Sequence, residues 1–423
     1  MPDRTPRTTP AVTVDPVVRT ADDVHGVVTV IDDREGYLAA VEAIRAGTGP
    51  VSIDAERASG YRYSQRAYLI QVYRRGAGVY LLDPPALGDL HELQDVIGDE
   101  EWVLHAASQD LACLREVGLD PVRIFDTELG ARLAGLPKVG LGAVVEQLLG
   151  VHLAKEHSAA DWSTRPLPQS WLVYAALDVE LLVDLRDEME RVLDSAGKLD
   201  IAHEEFRATL EREAKPPKLD PWRRLTGLHS VRGGRGLAVA RELWEARDAY
   251  AQEVDTSPGR LVPDASLVAV AKALPADKRA LAGLKEFVGR ASRSELDRWW
   301  AAVERGLAAT DLPSSRGPAS DALPPPRSWA DKSPLADRRH KAARPRVAEI
   351  AERLDLPVEN LLTPEHLRRV CWDVSVPDDA GSVATALLRQ GARPWQVRAT
   401  AIALTEAFVE ARQAPAEGPA ATS

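Results

Sequence analysis

From residue 27 to about residue 200, short apolar runs alternate with longer segments whose apolar residues recur every three to four positions. The runs VVTVI (27–31), VSIDA (51–55), VYLLD (79–83) and WVLHA (102–106) are rich in β-branched side chains and short, which predicts strands. The stretch Leu167 to Leu185, LPQSWLVYAALDVELLVDL, keeps helical spacing throughout. Such alternation predicts an α/β domain over 27–214, ending before the stop KPPK at 215–218.

Past that stop the periodicity is helical only. LAVARELWEARDAYAQEVD (237–255) and LVPDASLVAVAKAL (261–274) predict a bundle over 219–307. Residues 308–337 are rich in Pro, Ser and Ala, with three consecutive prolines at 324–326, and read as a linker. Helices resume over 338–413, and the tail 414–423 is expected to be disordered. Residues 1–26, polar and rich in Pro and Thr, are likewise expected to be a disordered lead-in without the apolar core of a signal peptide.

At 423 residues the chain exceeds one ordinary core, which agrees with several domains. No apolar run reaches the ~18–20 residues that span a bilayer, so no membrane partner is expected. Cys113 and Cys371 lie far apart in helical, apolar surroundings, as buried thiols of a reducing cytoplasm would. No Cys/His cluster has zinc-site spacing and no phosphate loop of the GxxxxGK[ST] type occurs, which excludes a zinc-finger module and a nucleotide-driven motor.

The chemistry is acidic. On a strand, Asp54 and Glu56 share one face of the pleat. Two carboxylates held together in a low-dielectric cleft persist only when protonated or neutralised, and a hard divalent cation is the simplest neutraliser. Tyr174 and Asp178 lie one helical turn apart on one face. Between the two pairs comes HAASQD, ending in Asp110, an acid that alone would read as a helix cap.

Taken in order, IDAE (53–56), HAASQD (105–110) and YAALD (174–178) resemble the three motifs of the DEDD exonucleases of the ribonuclease D type. The phrases RYSQRAYLIQ (62–71), FDT (125–127) and DWSTRPL (161–167) are similar to that family too. Its histidine subclass carries the base five residues before the last acid, where this chain has Val173, so Tyr174 matches the tyrosine subclass. The resemblance implies a ribonuclease H-like exonuclease domain, a mixed sheet flanked by helices, followed by one or two all-α HRDC bundles. The HRDC likeness rests on WEARD (244–248) and PGRLVPD (258–264), with the last helical block as a second, HRDC-like copy.

The same resemblance implies that Asp54, Glu56, Asp110 and Asp178 hold two divalent cations, Mg²⁺ or Mn²⁺, and that Tyr174 orients the attacking water. The implied reaction is 3′→5′ hydrolysis of RNA, releasing nucleoside 5′-monophosphates from single-stranded 3′ ends such as those of tRNA precursors. Gln65, Arg66, His105 and Arg165 are candidate substrate contacts, each with a plain alternative: His105 as a hydrogen-bonded structural residue, the arginines as solvated surface. Asp126 reads as the N-cap of the segment TELGARLAG. A monomer is expected. A DNA exonuclease and a non-catalytic nucleic-acid adaptor stand as alternatives.

A formal charge of −11 runs against phosphate binding, which depends on Lys and Arg displacing counterions. Basic residues cluster locally, however, at 222–224, 232–235 and 338–346.

Overall fold

The computed structural model of the protein describes residues 17–19, 29–153, 160–213, 219–315 and 323–414. The described residues form eight strands: β1 (Val17–Arg19), β2 (Val30–Ile31), β3 (Thr48–Arg57), β4 (Ala67–Arg75), β5 (Gly78–Leu82), β6 (Glu101–Leu104), β7 (Arg123–Asp126) and β8 (Val151–Leu153). Six of them form one sheet in the order β2-β5-β4-β3-β6-β7. The meander β3-β4-β5 is antiparallel, whereas β2 joins β5, β6 joins β3 and β7 joins β6, all in parallel. This is the mixed sheet that the sequence implied.

β3 is central, and its alternation explains why. Val51, Ile53 and Ala55 point into the main core, while Ser52, Asp54 and Glu56 occupy the opposite face. The β3–β4 register slips between Glu56 and Arg57, an irregularity of the kind that re-aims side chains beside functional sites.

Two expectations are corrected at this level. Val17–Arg19, inside the stretch read as a disordered lead-in, pairs in parallel with Val151–Leu153; the rest of 1–26 lies outside the described residues, as do 215–218 and 415–423. The helical run 167–185 is two helices, Gln169–Glu180 and Leu182–Ser195, which meet at Leu181. Leu181 keeps near-helical dihedrals, so side-chain periodicity carries no sign of the break.

The two helical blocks open alike: a long helix, a four-residue helix after a proline or serine, then a helix of about ten residues. These are Gly233–Glu253, Pro258–Leu261 and Asp264–Ala273 in the first, Pro334–Arg353, Val358–Leu361 and Pro364–Trp372 in the second. Structure in the second block starts inside the Pro-rich stretch. Trp329 opens the helix Trp329–Lys332, is fully buried, donates to Pro324 O at 2.7 Å and packs 5.0 Å from Trp372. Pro334 sits at a helix start, where its missing N–H costs nothing, so proline content misreads a helix entry as a linker.

The blocks join the α/β domain differently. The second shares one continuous apolar core with it, from Val51 and Leu104 through Phe206 to Trp395 and Leu404. The first has its own core around Leu243, Leu267 and Trp299, which, among the described residues, only Tyr63 of the α/β domain joins. Among the described residues no helix is long and apolar enough to cross a membrane.

Candidate active site

The acids come from three separate elements. Asp54 and Glu56 project from β3, Asp110 stands at the start of the helix Leu111–Arg115, and Tyr174 and Asp178 share the helix Gln169–Glu180. All five line one cleft of about 710 Å³, together with Arg57, His105 and Glu128. One carboxylate oxygen each of Asp54, Glu56 and Asp178 lie within 4.8 Å of one another.

Local bonds hold these elements together. The hydroxyl of Ser52, fully buried, donates to the carbonyl of Val179 at 2.7 Å, which fastens the helix to the strand. The second motif turns through Ala106, a non-glycine residue at φ 65°, a conformation that needs support. Asp126 supplies it: one carboxylate accepts from Ala106 N at 3.0 Å and Ala107 N at 2.9 Å, and also caps its own helix through Glu128 N and Leu129 N. Asp110 makes no capping bond of its own, so its carboxylate is left for the cleft, 3.7 Å from Arg57.

The electrostatics are those of an overcharged site. Burial raises Glu56 to about 10, with Asp54, Asp178 and Asp110 adding to it. Burial and Asp54 raise Asp110 to about 8, against the pull of Arg57. Asp54 and Asp178 are also raised, burial being the main cause. Tyr174 is pushed above the usual phenol range by burial first and then by the charge of Asp178, with which its hydroxyl is hydrogen-bonded. Converging carboxylates opposed by one guanidinium fit divalent cations, which neutralise such a cluster with hard oxygen ligands.

His105 lines the cleft, but its ring is bonded within the fold. Nδ1 lies 2.9 Å from Thr127 Oγ1, and the ring also bonds the Val139 backbone. Burial lowers it to about 4, so it is neutral and ties the 139–141 wall of the cleft to the second motif.

The other proposed contacts lie elsewhere. Arg165 gives Nε to Asp83 at 2.6 Å and its other nitrogens to the carbonyls of Trp162, Thr164 and Tyr68, so four of its five N–H donors are spent within the fold. Gln65 accepts from Ser59 Oγ and donates to Tyr63 O and Ser64 O. Arg66 stacks over Tyr68 and lies 3.6 Å from Asp255 of the first bundle. Arg66 thus faces the docked bundle, whereas Gln65 is tied to Ser59 at the edge of the acid cleft. Two residues escaped sequence reasoning: Ser52, buried behind the cleft, whose signal is a third polar residue in phase with Asp54 and Glu56, and Arg57 in the cleft itself, a cation directly after the acid pair.

Family models match three segments: a 3′–5′ exonuclease over residues 28–194, an HRDC domain over 236–303, and a 3′ to 5′ exonuclease C-terminal domain over 322–408. The last block, read from sequence as a second HRDC-like copy, therefore matches a model of its own. A ribonuclease D of Gluconacetobacter diazotrophicus is 34% identical over 287 residues, 66% of this chain and 68% of that protein.

The chain belongs to the ribonuclease D family.

Among solved structures, a protein from Bifidobacterium adolescentis superimposes with a TM-score of 0.85 at 37% identity, covering 93% of this chain and all of that one. Escherichia coli RNase D, described as an exoribonuclease involved in structured RNA processing, gives 0.64 at 25% identity over 90% of this chain and 98% of its own. The ribonuclease D family is one of metal-dependent 3′→5′ exoribonucleases, and the exonuclease and HRDC units of this member are those that the motifs implied.

Proposed function

We propose that this ribonuclease D removes nucleotides one at a time from single-stranded 3′ ends of structured RNA, tRNA precursors among them, with Asp54, Glu56, Asp110 and Asp178 holding two cations, Mg²⁺ or Mn²⁺. The observation that carries the reading is the convergence of these acids with Tyr174 in one cleft from three elements. When bound, the cations supply the Lewis acidity that activates water and stabilises the departing 3′ oxygen.

The protein groups then have distinct tasks. Asp54, Glu56 and Asp178 fix the reacting region against a rigid strand and helix, which limits the orientations open to the terminal phosphodiester. Tyr174, its proton retained by burial and by Asp178, acts by orientation through its hydroxyl and not as a base. Arg57 lies at the mouth of the acid cluster, positioned for a phosphate oxygen. One chain supplies the whole cleft, which suits a monomer, and two buried free thiols suit the cytoplasm.

Degradation of matched 5′-labelled RNA and DNA oligonucleotides with Mg²⁺, Mn²⁺ or chelator, beside Asp54→Asn, tests this. A metal-dependent ladder from the RNA 3′ end, absent in the variant, is the expected result. A ladder on DNA alone, or none at all, overturns it.

A further inference from the structure

An acid cleft cannot hold a polyanion beyond its terminal phosphate, so the rest of the strand needs cations on its path. The structure has a second cavity, of about 550 Å³, between the exonuclease domain and the HRDC bundle. Tyr61, Arg62 and Asp161 line it from one side and Tyr250, Arg260 and Arg290 from the other. Ser59 and Ala160 line the acid cleft, whereas Tyr61 and Asp161 line this cavity. With consecutive Cα atoms ~3.8 Å apart, the two spaces share a wall about one backbone thick.

The lining differs from the cleft in sign. Three guanidiniums face one carboxylate, and Asp161 already accepts from Ser163 N and Oγ. Arg290 is exposed and, among the described residues, has no ion-pair partner; Arg62 bonds only through Nε, to Ser163 Oγ at 2.8 Å. Arg260 is fixed by Gly60 O at 2.7 Å and lies 3.8 Å over the Tyr61 ring. Forked guanidiniums match phosphate oxygens, and aromatic or guanidinium planes stack on bases of any identity. Both halves are needed: Ser257 N donates to Tyr61 O at 3.0 Å, so the bundle is docked where it completes the lining.

Building on the exoribonuclease reading, we infer that this cavity binds the single-stranded RNA immediately upstream of the 3′-terminal nucleotides. Arg62 and Arg290 contact its phosphates, and Tyr61 with Arg260 stacks on a base. The HRDC bundle therefore acts by finishing a subsite.

Fluorescence anisotropy in chelator, where no turnover occurs, tests the inference with a 12-nucleotide single-stranded RNA and a dinucleotide too short to leave the acid cleft. Arg290→Glu, with Arg62→Ala as a second variant, is expected to weaken the 12-mer on the order of tenfold and to flatten its salt dependence by about one phosphate contact. Dinucleotide affinity and melting temperature stay at the wild-type values. Equal 12-mer affinity in wild type and both variants, or equal weakening of both ligands, overturns the inference. Metal-dependent shortening by the wild-type protein is scored separately. Its absence defeats the exoribonuclease reading, while the binding comparison still decides the subsite.

Discussion

The hydroxyl of Ser52 donates to the carbonyl of Val179 at 2.7 Å, two residues before Asp54 on the strand and one after Asp178 on the helix. The spacing between the first and last motifs is set by this bond more directly than by any other described here. Ser52→Ala leaves a buried carbonyl without its partner, at a cost of about 1–3 kcal/mol. We expect a fall in kcat with little change in KM, and a weaker metal requirement curve, measured by titrating Mg²⁺ against the rate of RNA shortening.

Asp54→Asn removes one of several mutually repelling carboxylates. Turnover should fall by at least about 10³-fold while RNA binding persists. In chelator the variant should melt above the wild type, because a buried, opposed charge has gone. Paired activity and thermal-unfolding measurements check both directions.

Tyr174→Phe keeps the ring and loses the hydroxyl. A residue that orients without ionising should cost about 10–100-fold in kcat and leave the shape of the pH–rate profile unchanged. Disappearance of an ionisation from the profile of the variant shows instead that the phenol acts as the base.

Without metal, stability should fall as pH rises. Glu56 moves from 4.5 to about 10 and Asp110 from 3.8 to about 8 on folding, so the native state keeps protons that the unfolded chain releases. The stabilisation is complete below the unfolded values and is lost as pH climbs towards the folded ones. Urea unfolding in chelator at pH 5.5 and 8.5 should differ by several kcal/mol, about 4 kcal/mol for a proton held across the whole interval, with the lower pH more stable. Mg²⁺ should cancel the trend, adding about 2.7 kcal/mol at one hundred times its Kd.

Glu205, 4% exposed, accepts from Arg393 at 2.6 Å and from Trp395 Nε1 at 2.9 Å across the junction with the C-terminal block. Glu205→Ala strands Arg393 in a protein interior and should cost about 3–5 kcal/mol. Glu205→Gln, which keeps an acceptor for the indole, should cost less. Urea unfolding followed by tryptophan emission separates the two.

Much of this was legible in the sequence because period and face are local properties. The phase shared by Asp54 and Glu56, the turn between Tyr174 and Asp178, and the cap at Asp126 depend on residues at most four positions apart. Arg165 shows the limit. Its partners Asp83 and Tyr68 lie 82 and 97 positions away, and only the folded chain brings them to it. Arg66 makes the same point, since its neighbour Asp255 lies almost two hundred residues further on. Trp329 marks the reverse error, where proline composition hid a buried indole that anchors a helix.

The unequal junctions bear on how this protein can be cut and recombined. A chain ended near residue 213 exposes the apolar flank of Phe206 and the neighbouring carboxylates that the C-terminal block covers, so it should be sticky and poorly soluble. Excising 219–307 instead severs mainly polar and cation–aromatic links, with Tyr63 the α/β residue that joins the apolar core of the bundle. The middle unit is thus the separable part of this architecture, and the C-terminal block is part of the catalytic body.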